Sequence, residues 1–151
     1  MREIVETFTI DEAMVERFAT LTGDRNALHM NAAFARRSRY RQRVAHGMLA
    51  LGQIARLQSH FPAESLRFRQ VQGRFEAPIP LGTTLRLEAM LPPPSSGLQP
   101  FEASWISTAD DRTVLTATGS LALTERATAK TDTDGPACLL VESESELERG
   151  P

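Results

Sequence analysis

The hydrophobic period of this chain changes partway along, and that change restricts the fold more than any other feature. From about Gly47 to Ser59, Met48, Leu51, Ile54 and Ala55 form a wide apolar stripe at helical spacing, broken by Gln53 and Arg56. Beyond it, residues of one face recur at every second position. They are Leu66 and Phe68, then Val71, Gly73, Phe75 and Ala77; Leu85, Leu87, Ala89 and Leu91; Phe101, Ala103 and Trp105; and a last run from Thr113 to Leu123. The spacing predicts a largely buried helix followed by four strands. The slip between Phe68 and Val71 predicts a bulge. Turn residues separate the strands at Pro80 to Gly82, in the PPPSSG stretch at 92 to 97 and at Asp110-Asp111.

Upstream, residues 2 to 9 alternate loosely and predict a first strand. Thr9 and Glu12 have capping-box spacing, so a helix is expected to start there. Ile10, Met14, Phe18 and Leu21 would share one face of it, and Gly23 suits the left-handed residue that ends a helix. The residues just after Gly23 are then expected in a loop. One strand and two helices followed by a four-strand meander is an α+β pattern, an antiparallel sheet packed on a buried helix.

A length of 151 residues suits one core, since two domains would each be poorly buried. Residues 1 to 126 are read as that domain. From residue 127 the chain is dominated by Thr, Ser, Asp, Glu, Gly and Pro, with one apolar island at Cys138 to Val141, and a mostly disordered tail is expected over 127 to 151. The tail holds two bases (Lys130, Arg149) and six acids of the chain's seventeen and nineteen, which leaves fifteen and thirteen for the body. The net charge of −2 therefore belongs to the tail, and neither part carries the basic surplus typical of a nucleic-acid protein.

No apolar run reaches the eighteen residues a membrane span needs, and the acidic N-terminus, MREIVETFTI, does not read as a secretory signal. The expected location is the cytoplasm. One cysteine, Cys138, can form neither an internal disulfide nor a thiolate metal site. The only lysine, Lys130, lies in the tail, so Schiff-base chemistry in the folded body is excluded.

There is no G-x-S-x-G elbow, no phosphate-cradling glycine loop and no H-E-x-x-H. What remains is one dense polar cluster, Gly23-Asp24-Arg25-Asn26-Ala27-Leu28-His29, directly after an amphipathic helix. A carboxylate and an imidazole five residues apart can converge on one water molecule, one accepting its proton while the other delivers a proton elsewhere. Asp and Asn near a helix end also serve as caps and turn formers, and spacing alone leaves both readings open. Seventeen residues after His29 comes Ala45-His46-Gly47-Met48, at the start of the expected buried helix. Free N–H groups there can hold a carbonyl oxygen that gains negative charge, and Gly47 permits close approach. His46 reads more naturally as a capping or core residue.

The stretch Phe18-Ala19-Thr20-Leu21-Thr22-Gly23-Asp24-Arg25-Asn26-Ala27-Leu28-His29, followed by Val44-Ala45-His46-Gly47-Met48, resembles the hydratase motif of the MaoC-like family. The likeness is strong over residues 18 to 53 and weaker to about 125, where it includes Phe75-Glu76-Ala77-Pro78-Ile79-Pro80-Leu81-Gly82. The resemblance implies a hot dog fold, a sheet wrapped around a long central helix, and a homodimer or a double hot dog. It implies hydration of trans-2-enoyl thioesters of coenzyme A or acyl carrier protein, or the reverse dehydration of (R)-3-hydroxyacyl thioesters, without metal or redox cofactor. By position Asp24 would be the base on water and His29 its catalytic partner. Asn26, His46, Gly47 and Met48 would bind or shape the substrate site, with the Gly47 N–H on the thioester carbonyl. Two positions depart from the pattern: Ala27 stands where the family usually has proline, and Ala55 where some members have serine.

Conjugate addition of another nucleophile, or a non-catalytic acyl-binding subunit, would use the same pocket. Hot dog thioesterases usually carry a carboxylate on the central helix, and residues 47 to 59 contain no Asp or Glu. Between the motifs, Arg36-Arg37-Ser38-Arg39-Tyr40-Arg41-Gln42-Arg43 holds five arginines in eight residues. It suits either a docking patch for phosphates or an acidic carrier protein, or a solvated positive face.

Overall fold

The computed structural model describes residues 1–61, 64–93 and 97–125. The tail expected at 127 to 151 lies outside the described residues. Strand β1 (Arg2–Thr9) leads through Ile10 into helix α1 (Glu12–Thr22), followed by two short helices, α2 (Ala27–Met30) and α3 (Ala32–Arg37). Helix α4 (Gly47–Gly52) continues directly as a 3₁₀ segment (Gln53–His60), and four strands follow: β2 (Glu64–Phe75), β3 (Thr84–Leu91), β4 (Gln99–Ser107) and β5 (Thr113–Glu125). Among the described residues no helix is long and apolar enough to cross a membrane.

The five strands form one antiparallel sheet in the order β1-β3-β4-β5-β2. Period-two alternation selects the inner face. Leu85, Leu87, Ala89 and Leu91 of β3, Phe101, Ala103 and Trp105 of β4, and Leu115, Ala117, Leu121 and Leu123 of β5 are all buried. Against them pack Leu49, Ala50, Ile54 and Leu57 from α4 and the 3₁₀ segment. Burial of a Leu or Phe side chain contributes about 2 kcal/mol, so this layer is the main source of stability. The strands, the inner faces and the α+β architecture agree with the sequence pattern.

The expected bulge is present as a register shift between Phe68 and Gln70 opposite β5. It turns the Gln70 carbonyl toward Gly119, where a Cβ would sit 1.9 Å from that oxygen. Only glycine fits that position.

Three local expectations need correction. The cap of α1 is Asp11, whose side chain accepts from the Met14 N–H at 2.8 Å, while the Thr9 hydroxyl bonds Thr84 across the sheet. The inner face of the helix is Met14, Val15, Phe18 and Ala19, with Val15 and Ala19, one residue C-terminal of Met14 and Phe18, the more deeply buried in each turn, and Leu21 is 85% exposed. The central helix is not one α-helix over 47 to 59. After Gly52 it tightens to a 3₁₀ segment, because Ile54, Leu57 and His60 recur every third residue and three residues per turn align them. Ile54 and Leu57 enter the core, and the His60 Nε2 meets the Glu6 carboxylate of β1 at 2.8 Å. Met48 and Ala55 face outward.

Candidate active site

The polar cluster is a loop followed by a short helix rather than a loop throughout. Gly23, at φ 77, closes α1 and donates its N–H to Ala19 O. The Asp24 Oδ1 then accepts from the Asn26 N–H at 3.2 Å, and the Asn26 Oδ1 accepts from the Leu28 N–H at 2.9 Å, capping α2. Asn26 therefore shapes the turn by capping, and α2 carries His29 back toward Asp24.

His29 is half-buried, and its Nδ1 lies 2.8 Å from the Val44 carbonyl. A carbonyl only accepts, so Nδ1 carries a hydrogen and Nε2 is the nitrogen left free for proton transfer. The ring stacks on His46, with centroids 4.0 Å apart, and His46 in turn meets Phe18 at 4.9 Å.

His46 is 2% exposed and sits at the N-cap of α4 without making a side-chain cap bond. Its Nε2 donates instead to the backbone carbonyl of Asp24 at 2.9 Å and stands 3.9 Å from the Asp24 carboxylate. Its Nδ1 is buried with no hydrogen-bond partner. The residue is a core histidine that ties α4 to the loop carrying Asp24.

Carboxylate and imidazole atoms of Asp24, His29 and His46 all lie within 4.8 Å of one another. Such a set has the composition of a cation site, but His29 Nδ1 and His46 Nε2 already hold backbone carbonyls. The Asp24 Oδ2 and the His29 Nε2 hold no hydrogen bond among the described residues, whereas the other unengaged nitrogen, His46 Nδ1, is buried. These two can share a water molecule, a carboxylate being an acceptor and an imidazole nitrogen an acceptor or donor according to its charge.

A groove of about 470 Å³ opens at His29, lined by His29, Val44, Gly47 and Ile79 within and by Arg39, Tyr40, Phe75 and Glu76 toward solvent, while Asp24 and His46 stand behind His29 and outside its wall. The Gly47 N–H is a first-turn donor of α4 with no acceptor among the described residues. Above it lies the Phe75 ring, whose Cε1 is 2.7 Å from the place a Cβ on residue 47 would occupy. Met48 is 60% exposed and Asn26 lies in the loop, and neither belongs to the groove wall. Phe75, Glu76 and Tyr40 do belong to it. Phe75 reads in the sequence as one more strand residue; its one signal is a large apolar side chain left 51% exposed at the end of β2, visible only once the strand is placed.

The family model described as a MaoC-like domain matches residues 2–92, from β1 through β3 and including the whole cluster and α4. The chain belongs to the MaoC-like family. Relatives within it carry two names. An (R)-specific enoyl-CoA hydratase of Rhodospirillum rubrum is 35% identical over 78 residues, covering 51% of this chain and 54% of the relative. A 3-hydroxybutyryl-CoA dehydratase of Methylorubrum extorquens is 32% identical over 80 residues, covering 52% and 51%. The chain thus spans about half the length of the curated relatives it matches. Among solved structures, the unliganded (R)-hydratase from Pseudomonas aeruginosa aligns with a TM-score of 0.73 at 22% identity, covering 91% of this chain and 90% of that one. The (R)-hydratase of A. caviae involved in PHA biosynthesis aligns at 0.72 and 18%, covering 80% and 93%. The MaoC-like hot dog fold implied by the sequence motif is the fold of this chain.

Proposed function

We propose that this protein is a hydro-lyase that interconverts trans-2-enoyl and (R)-3-hydroxyacyl thioesters of coenzyme A, with Asp24 and His29 as its acid–base pair. The observation that carries the proposal is the approach of the Asp24 carboxylate and the His29 ring within 4.8 Å of each other, with His29 in the wall of a groove that the free Gly47 N–H also lines. The names of both relatives support the substrate class.

In this reading the thioester carbonyl accepts from the Gly47 N–H, which stabilises the enolate oxygen as charge builds there. Water held between the pair adds its oxygen to C3 as Asp24 takes its proton. C2 then receives a proton from His29 Nε2. Because Nδ1–H is committed to Val44, that delivery requires the imidazolium form. The step ends with Asp24 protonated and His29 neutral, and the next water returns the proton from one to the other. Dehydration runs the same path backward. His46 and Asn26 act by holding the loop, and Met48, exposed and outside the groove wall, has no part in this reading.

A homodimer is part of the proposal, supported by the position of β1 and β2 as the two edges of the sheet; the mass of the native protein by light scattering checks it. The activity is tested with crotonyl-CoA, following loss of the enoyl absorbance with the wild type, Asp24→Asn and His29→Ala. Turnover by the wild type to the (R)-3-hydroxy product, lost in both variants, is expected. Folded wild-type protein inactive on CoA and carrier-bound enoyl thioesters of several chain lengths would contradict it.

A further inference from the structure

The arginine run is held at one end and free at the other. Arg43 pairs with Glu12 at 2.6 Å, which neutralises it and pins the strap to α1. Arg36, Arg37, Arg39 and Arg41 have no carboxylate partner among the described residues, and all four are exposed. A built turn presents them. The Ser38 hydroxyl donates to Ala35 O and accepts from the Tyr40 N–H, and the Arg41 N–H donates to Ser38 O. The backbone then reverses at Arg41 with φ 62, a left-handed conformation that is costly for a side chain of this kind. The result sets Arg39 and Tyr40 in the wall of the same groove that His29 and Gly47 line, with the Arg39 guanidinium 4.7 Å over the Tyr40 ring. The one acid in that wall, Glu76, is engaged by Arg74 at 3.0 Å.

One guanidinium without a carboxylate partner in the wall of a thioester groove, with three more exposed in the same short segment, matches a polyanionic carrier. We infer that the strap from Arg36 to Arg41 is the binding site for the phosphates of the thioester's pantetheine carrier, and specifically for the diphosphate and 3′-phosphate of coenzyme A. Guanidinium binds phosphate oxygens in a bidentate fork. Four cations without a carboxylate partner, Arg39 among them held by a hydrogen bond to the Tyr40 hydroxyl, suit the several charges of coenzyme A better than the single phosphodiester charge of a carrier-protein arm. The inference rests on the acyl-thioester reading above and adds which residues grip the non-reacting end.

The test compares crotonyl-CoA with crotonyl-pantetheine, which has the same reacting end and no phosphate, in the wild type and in an Arg39→Gln, Arg41→Asn double variant. Asparagine tolerates the left-handed conformation at position 41, so the turn is kept. The ratio of kcat/KM for the CoA thioester to that for the pantetheine thioester should fall at least about tenfold in the variant, through KM, as expected for loss of charge-assisted bonds. An unchanged ratio, whether both substrates lose equally or neither does, overturns the inference. So does a loss seen only with a crotonylated carrier protein. If the wild type turns over neither thioester, the hydratase reading fails on its own, and calorimetric titration with coenzyme A decides the inference: binding weakened about tenfold in the variant upholds it, while equal or absent binding overturns it.

Discussion

The imidazole of His46 donates from Nε2 to the backbone carbonyl of Asp24 at 2.9 Å, so a buried residue at the start of α4 holds the loop that carries the candidate base. His46→Phe keeps a ring between Phe18 and His29 but removes the donor, and it also removes an Nδ1 that is buried without a partner. The lost bond to Asp24 O and the removed unpaired nitrogen offset each other, so stability by urea denaturation should change by no more than about 1 kcal/mol. The kcat should fall about a hundredfold with KM little changed, because a misplaced catalytic group costs rate rather than affinity. Steady-state kinetics beside the denaturation curve check both halves.

Ala27, where the family usually has proline, is the first residue of α2, after the Asn26 cap. Proline suits that position, since its missing N–H would have no helical partner there. Asn26 lies at φ −52, ψ 134, a conformation that tolerates a following proline. Ala27→Pro should stabilise the protein by about 0.5 kcal/mol through the unfolded state. The expected readout is a higher melting temperature with activity retained.

At Gly119 a methyl group would meet the backbone of Gln70 at the bulge, and backbone cannot swing aside. Gly119→Ala should lower the unfolding free energy measured by urea denaturation by about 3 kcal/mol or more. A variant as stable as the wild type would mean that the register shift near Gln70 is not the one described.

Gly47→Ala has a different expected result. The atom in its way is the ring edge of Phe75, a half-exposed side chain that can turn outward. Stability should change by no more than about 1 kcal/mol. The ring and methyl group would crowd the free N–H, and kcat/KM for crotonyl-CoA should fall at least about tenfold.

Much of this was legible in the sequence because period-two alternation and a helical stripe are direct consequences of packing on one face, and the strands from Leu66 onward follow their pattern apart from Phe75, which is 51% exposed at the end of β2. The bulge near Phe68 showed as a broken alternation. The start of α1 was misplaced because Thr9 and Asp11 both offer a capping oxygen, and only the pairing of Thr9 with Thr84 across the sheet decides between them. The 3₁₀ segment was hidden because Ile54 and Leu57 fit three residues per turn nearly as well as 3.6. In the candidate site, the local motifs single out Asp24, His29 and Gly47, and the fold brings the Asp24 carboxylate near the His29 ring and both His29 and Gly47 into one groove. The motifs do not single out Phe75 and Tyr40, since their entry into the groove depends on where β2 ends and how the strap turns at Arg41, both set by contacts distant in sequence.

The central claim is that Asp24 and His29 act together on one water molecule. The measurement that tests it most directly is kcat/KM for crotonyl-CoA in Asp24→Asn, His29→Gln and the double variant. Each single substitution should cost about 10²- to 10⁴-fold. Two groups that share one proton-transfer step lose it together, so the double variant should be about as impaired as the worse single variant. Losses that multiply would show the two residues working independently, and would contradict the account.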